Sequence, residues 1–180
     1  MPLSVEERFR RLSQHRRDHI ARVMVAVEGL ARAHSMDVES ARLAAFGHDL
    51  AREMSRPDLR DEAIRLGLTV GAEEEHEPIL LHGPIAARWL QCARRGNPSV
   101  WQAIEFHTTG APALDDLGKA LFIADGVEPG RQYDAREALW QLALSDLTQG
   151  YCAVLEHTKA YLVHRGLTPH PRMLVAIENC

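Results

Sequence analysis

The chain has 180 residues, 46% hydrophobic and 26% charged, with a formal net charge of −4 at pH 7. That length fits one domain able to bury a core without staples. The acidic balance argues against a protein that coats nucleic acid, while leaving room for a local basic site that takes a small phosphate ligand. No apolar run approaches the roughly 18 residues that span a bilayer. The N-terminal stretch Met1-Pro2-Leu3-Ser4-Val5-Glu6-Glu7-Arg8 lacks the apolar centre of a secretory signal. Cys92, Cys152 and Cys180 are odd in number and share no close spacing, so they read as reduced thiols of a soluble, cytoplasmic protein.

Strand signals are nearly absent, and the expected fold is all-α: a single helical domain over residues 1–180, with about eight to ten helices. Ile20, Val23, Met24, Val27, Leu30 and Ala31 follow the spacing of an amphipathic helix, and His19 stands at the start of that stripe. A second helix is expected from about Val38 to about Met54, N-capped by Asp37. Its Ala41, Ala44, Ala45 and Gly47 permit close packing, and it carries the pair His48-Asp49 within an apolar run. Burying that carboxylate is costly unless a cation satisfies it.

Ser55-Arg56-Pro57-Asp58 reads as a capped helix start, Gly67 as a stop, and the Glu-rich stretch from Gly71 to Pro78 as a solvated loop. Gly83-Pro84 opens a helix that Gly96 ends, placing His82 at its entrance. Asn97-Pro98 opens the next, in which Val100, Ile104 and His107 share a face before Thr108-Thr109-Gly110 breaks it. Asp115 or Asp116 starts a helix through Leu117, Leu121 and Ala124, with Asp125 four residues after Leu121. Asp134-Ala135-Arg136-Glu137 has a capping-box pattern opening the last long helices, which are interrupted near Gly150 and ended by Gly166. A short helix after Pro171 closes the chain.

His19, His48, Asp49, His82, His107 and Asp125 thus fall within or at the ends of different helices, apart from the adjacent pair. Such a set suits a metal site inside a helical bundle, and imidazole with carboxylate and no thiolate favours iron, manganese or zinc. Six groups exceed what one structural zinc needs and fit two metals bridged by Asp49. Each residue alone also has a plainer reading. His19 can be a satisfied core histidine, His82 and His107 turn or cap residues, and Asp125 a hydrogen-bonded carboxylate. His15, His34, His76, His157 and His164 read as surface or packing histidines.

The local words around these residues resemble the HD-domain metal-dependent phosphohydrolase superfamily, whose pattern is His, then His-Asp, then a distant Asp. Within it they are similar to the YqeK-type symmetrical dinucleoside tetraphosphatases. The matching words are Arg17-Asp18-His19, His48-Asp49-Leu50-Ala51-Arg52-Glu53, Leu81-His82-Gly83-Pro84, His107-Thr108-Thr109-Gly110 and Ala124-Asp125-Gly126-Val127-Glu128-Pro129-Gly130-Arg131. The resemblance implies an iron-containing dinuclear site that cleaves diadenosine tetraphosphate at its centre into two ADP. It also implies that His19, His48, Asp49 and Asp125 hold one metal, and that His82 and His107 hold the second with Asp49 bridging. Two positions depart from the family pattern: Arg52 replaces lysine, and Gly126 replaces a large residue, opening the prospect of a wider nucleotide pocket.

A phosphoanhydride repels nucleophiles, so its hydrolysis needs charge neutralisation and an activated water. Two metals roughly 3.5–4 Å apart supply both through a bridging hydroxide. Asp49, Arg52 and Arg131 are the expected catalytic residues, the arginines contacting phosphate oxygens. Asp18, Thr108, Thr109 and Glu128 are expected to support the ligands or the substrate. The expected partner is a small nucleotide, with no nucleic acid and no membrane. A homodimer is left open should Trp140 or Tyr151 prove exposed. Other HD-type nucleotide phosphohydrolases or phosphodiesterases, and a non-catalytic helical module, are the competing readings.

Overall fold

A computed structural model describes residues 3–180. Among these residues it forms α1 (Val5–Arg11), α2 (Gln14–Ala33), α3 (Val38–Gly47), α4 (Arg56–Arg65), α5 (Ala72–His76), α6 (His82–Cys92), α7 (Pro98–Phe106), α8 (Asp116–Val127), α9 (Arg136–Ser145), α10 (Leu147–His164) and α11 (Pro171–Glu178). A single 3-10 turn, Pro78–Leu81, leads into α6. No strand forms among the described residues, and none of their helices is long and apolar enough to cross a membrane. The helix count exceeds expectation because α1 and α5 are short elements with little apolar periodicity. Ser4 and Glu7 close a reciprocal capping box at α1.

Helix α8 is apolar on nearly every side, as expected of a helix surrounded by others. Leu117, Ala120, Leu121, Phe122, Ile123, Ala124 and Val127 are all buried there, and α2, α3, α7, α9 and α10 pack around it. The α2 stripe of Ile20, Val23, Val27 and Leu30 meets the small α3 residues Ala41, Ala44 and Ala45, all fully enclosed. This arrangement brings the C-terminal ends of α3 and α7, the N-terminal end of α6 and the second turn of α2 toward one point near the end of α8.

Several expectations are corrected. Helix α3 stops at Gly47 instead of continuing to Met54, and residues 48–53 form tight turns. There Leu50 N–H donates to Gly47 O and Arg52 N–H to Asp49 O. Leaving the helix lets both members of the His48-Asp49 pair turn inward, which adjacent helical residues cannot do. The Glu-rich stretch holds α5. Helix α9 begins after Ala135 with no side-chain cap, because Glu137 binds Arg136 and Gln141 instead. The break between the last long helices falls at Asp146, which caps α10 by accepting from Gln149 N–H at 2.9 Å. Gly150 lies inside α10, where a Cβ would stand 2.6 Å from that of Ala143, so the glycine lets α9 and α10 cross closely.

The thiols are also corrected. Cys152 and Cys180 form a disulfide with a Cα–Cα separation of 5.8 Å, tying the residues beyond α11 to α10, while Cys92 is free. The two are 28 residues apart, and only the packing of α11 on α10 makes them neighbours. Tyr151 is buried and Trp140 packs partly against the core, so neither supports a homodimer.

Candidate metal centre

The structure brings His19, His48, Asp49, His82, His107 and Asp125 together. His19 lies on α2 and Asp125 on α8. His48 and His107 are the residues that end α3 and α7, and His82 is the first residue of α6. The four histidines and Asp49 are each at most 4% exposed, and the Asp125 side chain is 23% exposed. Asp125 therefore forms the side of the centre that reaches solvent.

Three of the histidines use one local device. Nδ1–H of His48 donates to Ala45 O at 2.7 Å, that of His107 to Ile104 O at 2.7 Å, and that of His82 to Ile79 O. Each acceptor lies three residues back, near a helix boundary, and its carbonyl has a lone pair to spare. A carbonyl only accepts, so the hydrogen of each neutral ring is on Nδ1 and Nε2 is a bare lone pair. His19 is oriented the same way, its Nδ1 lying 3.3 Å from Glu128 Oε1. All four Nε2 atoms face inward, 3.4 Å apart for His19 and His48 and 3.0 Å apart for His82 and His107. Lone pairs at such distances repel unless a cation lies among them. This donor set fits a metal, with outer hydrogen bonds fixing the ring orientation as metal-binding histidines require.

Asp49 divides the histidines into two pairs. Its Oδ2 lies 3.5 Å from Nε2 of both His19 and His48, and His19 Nε2 also lies 3.1 Å from Asp125 Oδ1. Its Oδ1 faces His82 Nε2 at 3.3 Å and His107 Nε2 at 3.8 Å. Burial would raise the Asp49 pKa, but His48 and His82 hold it well below the usual carboxylate range. Burial lowers the His107 pKa to about 3, helped by repulsion from His82 and His48, so His107 stays neutral. Burial opposes protonation of His48, but Asp49 overcomes it and raises the pKa.

The supporting residues meet their expectations unevenly. Glu128 is buried and accepts from Arg22 Nε at 2.6 Å and from Gly130 N–H while holding His19. Arg131 donates to Asp125 Oδ1 at 2.9 Å and to its backbone oxygen at 3.0 Å. Thr108 Oγ1 lies 3.1 Å from His107 Nε2 and 3.3 Å from His82 Nε2, inside the centre. Arg52 is half-buried; burial lowers its pKa while Asp49 resists the fall. Thr109 instead turns its hydroxyl to Gly110 O and serves the turn. Asp18 is exposed and holds Gln14, away from the ligands. Gly126 does not open a pocket: a Cβ there would stand 3.0 Å from Val154 Cγ1, so it faces α10.

Two arginines were missed. Arg16 Nη1 donates to Asp49 Oδ2 at 2.5 Å, and Arg22 holds Glu128. Both flank His19 by three residues on α2, and that helical spacing was the available signal. A second grouping of Glu73, Glu74 and His170 also escaped notice. There His170 Nδ1 accepts from Arg172 N–H at 3.0 Å, so Nε2 carries the hydrogen and faces Glu74 Oε1 at 3.4 Å. That nitrogen makes no hydrogen bond to Glu74, and with its hydrogen in place the ring has no lone pair left for a metal.

An HD domain pattern matches residues 16–130, a span that runs from Arg16 through Gly130 and includes all six inward-facing groups. The chain belongs to the HD-domain family. Divalent-metal binding accords with that membership and with the donor set. This HD-domain protein is 32% identical to the symmetrical bis(5'-nucleosyl)-tetraphosphatase of Halalkalibacterium halodurans, over 93% of its own length and 90% of the relative's. It is 28% identical to the symmetrical bis(5'-nucleosyl)-tetraphosphatase of Bacillus subtilis, over 89% of its own length and 86% of the relative's. In fold it is similar to a crystal structure described as a predicted HD superfamily hydrolase involved in NAD metabolism from Clostridium acetobutylicum. That similarity has a TM-score of 0.91 at 27% identity and covers 99% of this chain and 97% of the other.

Proposed function

We propose that this chain is a metal-dependent hydrolase that cleaves diadenosine tetraphosphate symmetrically, giving two ADP. The observation that carries the reading is the division of four inward-facing histidine nitrogens between the two oxygens of Asp49. It matches the demand of a phosphoanhydride for concentrated positive charge, and the similarity to symmetrical tetraphosphatases supplies the substrate. His19, His48, Asp49 and Asp125 would hold one metal, and His82, His107 and Asp49 the second. Iron is the proposed metal, with manganese and zinc as the other ions this donor set accepts. When bound, such a pair would supply phosphate charge neutralisation and a more acidic water as nucleophile.

The chain's own groups do the rest. The Nδ1–H bonds to Ala45, Ile79 and Ile104 keep the imidazoles aimed, with Nε2 toward the centre. Glu128 orients His19 and is itself fixed by Arg22. Arg131 at the Asp125 rim and Arg52 beside Asp49 receive phosphate oxygens, spreading the charge that grows as the bond opens. Thr108 offers a hydroxyl at the His82–His107 side. Water adds across the link between the second and third phosphates. Its oxygen joins one phosphorus, and the bridging oxygen leaves with the other ADP. The substrate is a solute of the nucleotide pool, which suits a cytoplasmic location.

The test is product identification with metal-loaded protein. Two equivalents of ADP per substrate, with two metals per chain, support the reading. Release of AMP plus ATP, or intact diadenosine tetraphosphate, overturns it.

A further inference from the structure

Arg16 has no role in the chemistry above, yet it reaches the central carboxylate directly. It lies on α2 one turn before His19, and its Nη1 donates to the same Asp49 oxygen, Oδ2, that faces His19 and His48. Its side chain is 20% exposed, so the guanidinium lies at the margin of the centre rather than in bulk water. The Nε–H is enclosed by protein and has no partner. An enclosed, unmatched donor on a charged group is costly. It can gain an acceptor only if the guanidinium turns from its present contact with Asp49.

The backbone holds Arg16 in this position. Glu53, in the segment just after the His48-Asp49 turn, accepts from Ser13 N–H at 2.8 Å and from the Ser13 hydroxyl. Ser13 is the N-cap of α2, so this clamp ties the first turn of α2, and Arg16 with it, to the turn that carries Asp49.

In a loaded centre Arg16 would share Asp49 Oδ2 with a metal. A metal held by His19, His48 and Asp49 would weaken the hold of Oδ2 on the guanidinium, whose planar donors could then pair with another anion. Arg52 adds a second guanidinium beside the same carboxylate, and Arg16 repels it. Two forked cations next to a metal centre match a polyphosphate, because the guanidinium fork pairs with two phosphate oxygens at once.

We propose that Arg16 is a substrate-binding residue that exchanges Asp49 for a phosphate oxygen of the dinucleotide when the centre is loaded. This inference rests on the hydrolase reading. A structural counter-ion for Asp49 would behave differently: its loss would change metal content or melting temperature and leave nucleotide affinity intact.

The experiment compares wild type, R16A and R16K, each loaded with metal. It measures metals per chain, the Kd of a diadenosine tetraphosphate analogue with a methylene group at the central bridge, the Kd of inorganic pyrophosphate, and KM and kcat. R16A is expected to keep the wild-type metal content. Its Kd for both probes should rise about 10- to 100-fold, the loss of a charged hydrogen bond, with a matching rise in KM. R16K keeps the charge and a contact to Asp49, so it folds; without the fork it should bind the analogue several-fold more weakly than wild type. Unchanged probe affinity in R16A overturns the proposal, as does wild-type affinity in R16K. If R16A does not fold, R16K decides. A wild type that releases two ADP while R16A binds the analogue equally well overturns Arg16 alone. A wild type that binds pyrophosphate through Arg16 but releases no ADP overturns the hydrolase reading and leaves Arg16 standing.

Discussion

The Nε2 atoms of His82 and His107 lie 3.0 Å apart, and in the neutral rings neither carries a hydrogen, because each ring donates through Nδ1 to a backbone carbonyl three residues earlier. The fold thus holds two lone pairs against each other at the α6–α7 contact. Metal should relieve this repulsion and stabilise the folded chain. At a metal concentration 100-fold above Kd the gain is about 2.7 kcal/mol, or roughly 5–10 °C in melting temperature for a domain of this size. Thermal melts with and without a strong chelator measure it. An identical midpoint in both would contradict the metal centre.

Asp49 is the only carboxylate in the set that faces all four histidines. Asp49→Ala should therefore abolish ADP release and reduce bound metal from two per chain to fewer than one. Asp125→Ala removes a group that reaches only the His19 side, so it should lose one metal and leave the other. Elemental analysis of both variants separates a bridging role from an ordinary one. Two metals retained in Asp49→Ala would rule the bridge out.

Gly83 explains why glycine follows His82. A Cβ there would stand 2.8 Å from Ile104 O and 2.9 Å from Glu105 O, and 3.3 Å from His107 Nδ1. Two of these are backbone atoms that cannot swing aside, so α6 must move off the end of α7. Gly83→Ala should cost about 1–3 kcal/mol, as overpacking does, and should pull His82 away from His107. The prediction combines a lower melting temperature with loss of the second metal before the first. Normal metal content at a wild-type midpoint would refute it.

The parts of this protein legible in its sequence are those encoded within a few residues. Asp37, Ser55, Asn97 and Asp115 each cap the helix expected of them, since a cap bonds to an N–H two or three positions on. The six inward groups were legible because their residue types are costly to bury without a shared purpose. What stayed hidden depends on contacts between distant segments. The Arg16–Asp49 pair spans 33 residues, and the Cys152–Cys180 bond exists only because α11 docks on α10. The Asp134 pattern is a local exception: it had the right letters, but Glu137 takes its near neighbours Arg136 and Gln141 in place of the helix start. Asp18 failed for a geometric reason, since residues adjacent on a helix point about 100° apart and His19 took the inward direction.

Glu53 supplies a prediction with a defined pH sign. Burial would raise its pKa, but the Ser13 hydroxyl and N–H more than offset this and leave it below its ordinary value of 4.5. The folded chain therefore binds a proton here less readily than the unfolded chain does. Its contribution to stability is fully present above pH 4.5 and is lost as pH falls through the lower folded value. The group is largely exposed, so solvent screens the effect, and Glu53→Gln should cost only about 1 kcal/mol at pH 7. Urea unfolding of wild type and Glu53→Gln at pH 7 and pH 3.5 reads the difference, which should narrow at the lower pH as the wild-type carboxylate gains its proton. The same variant loosens the first turn of α2 that holds Arg16, so KM should rise with little change in kcat. A stability gap of equal size at both pH values, or a KM that does not move, would show that the Ser13–Glu53 clamp fixes neither the helix start nor the arginine.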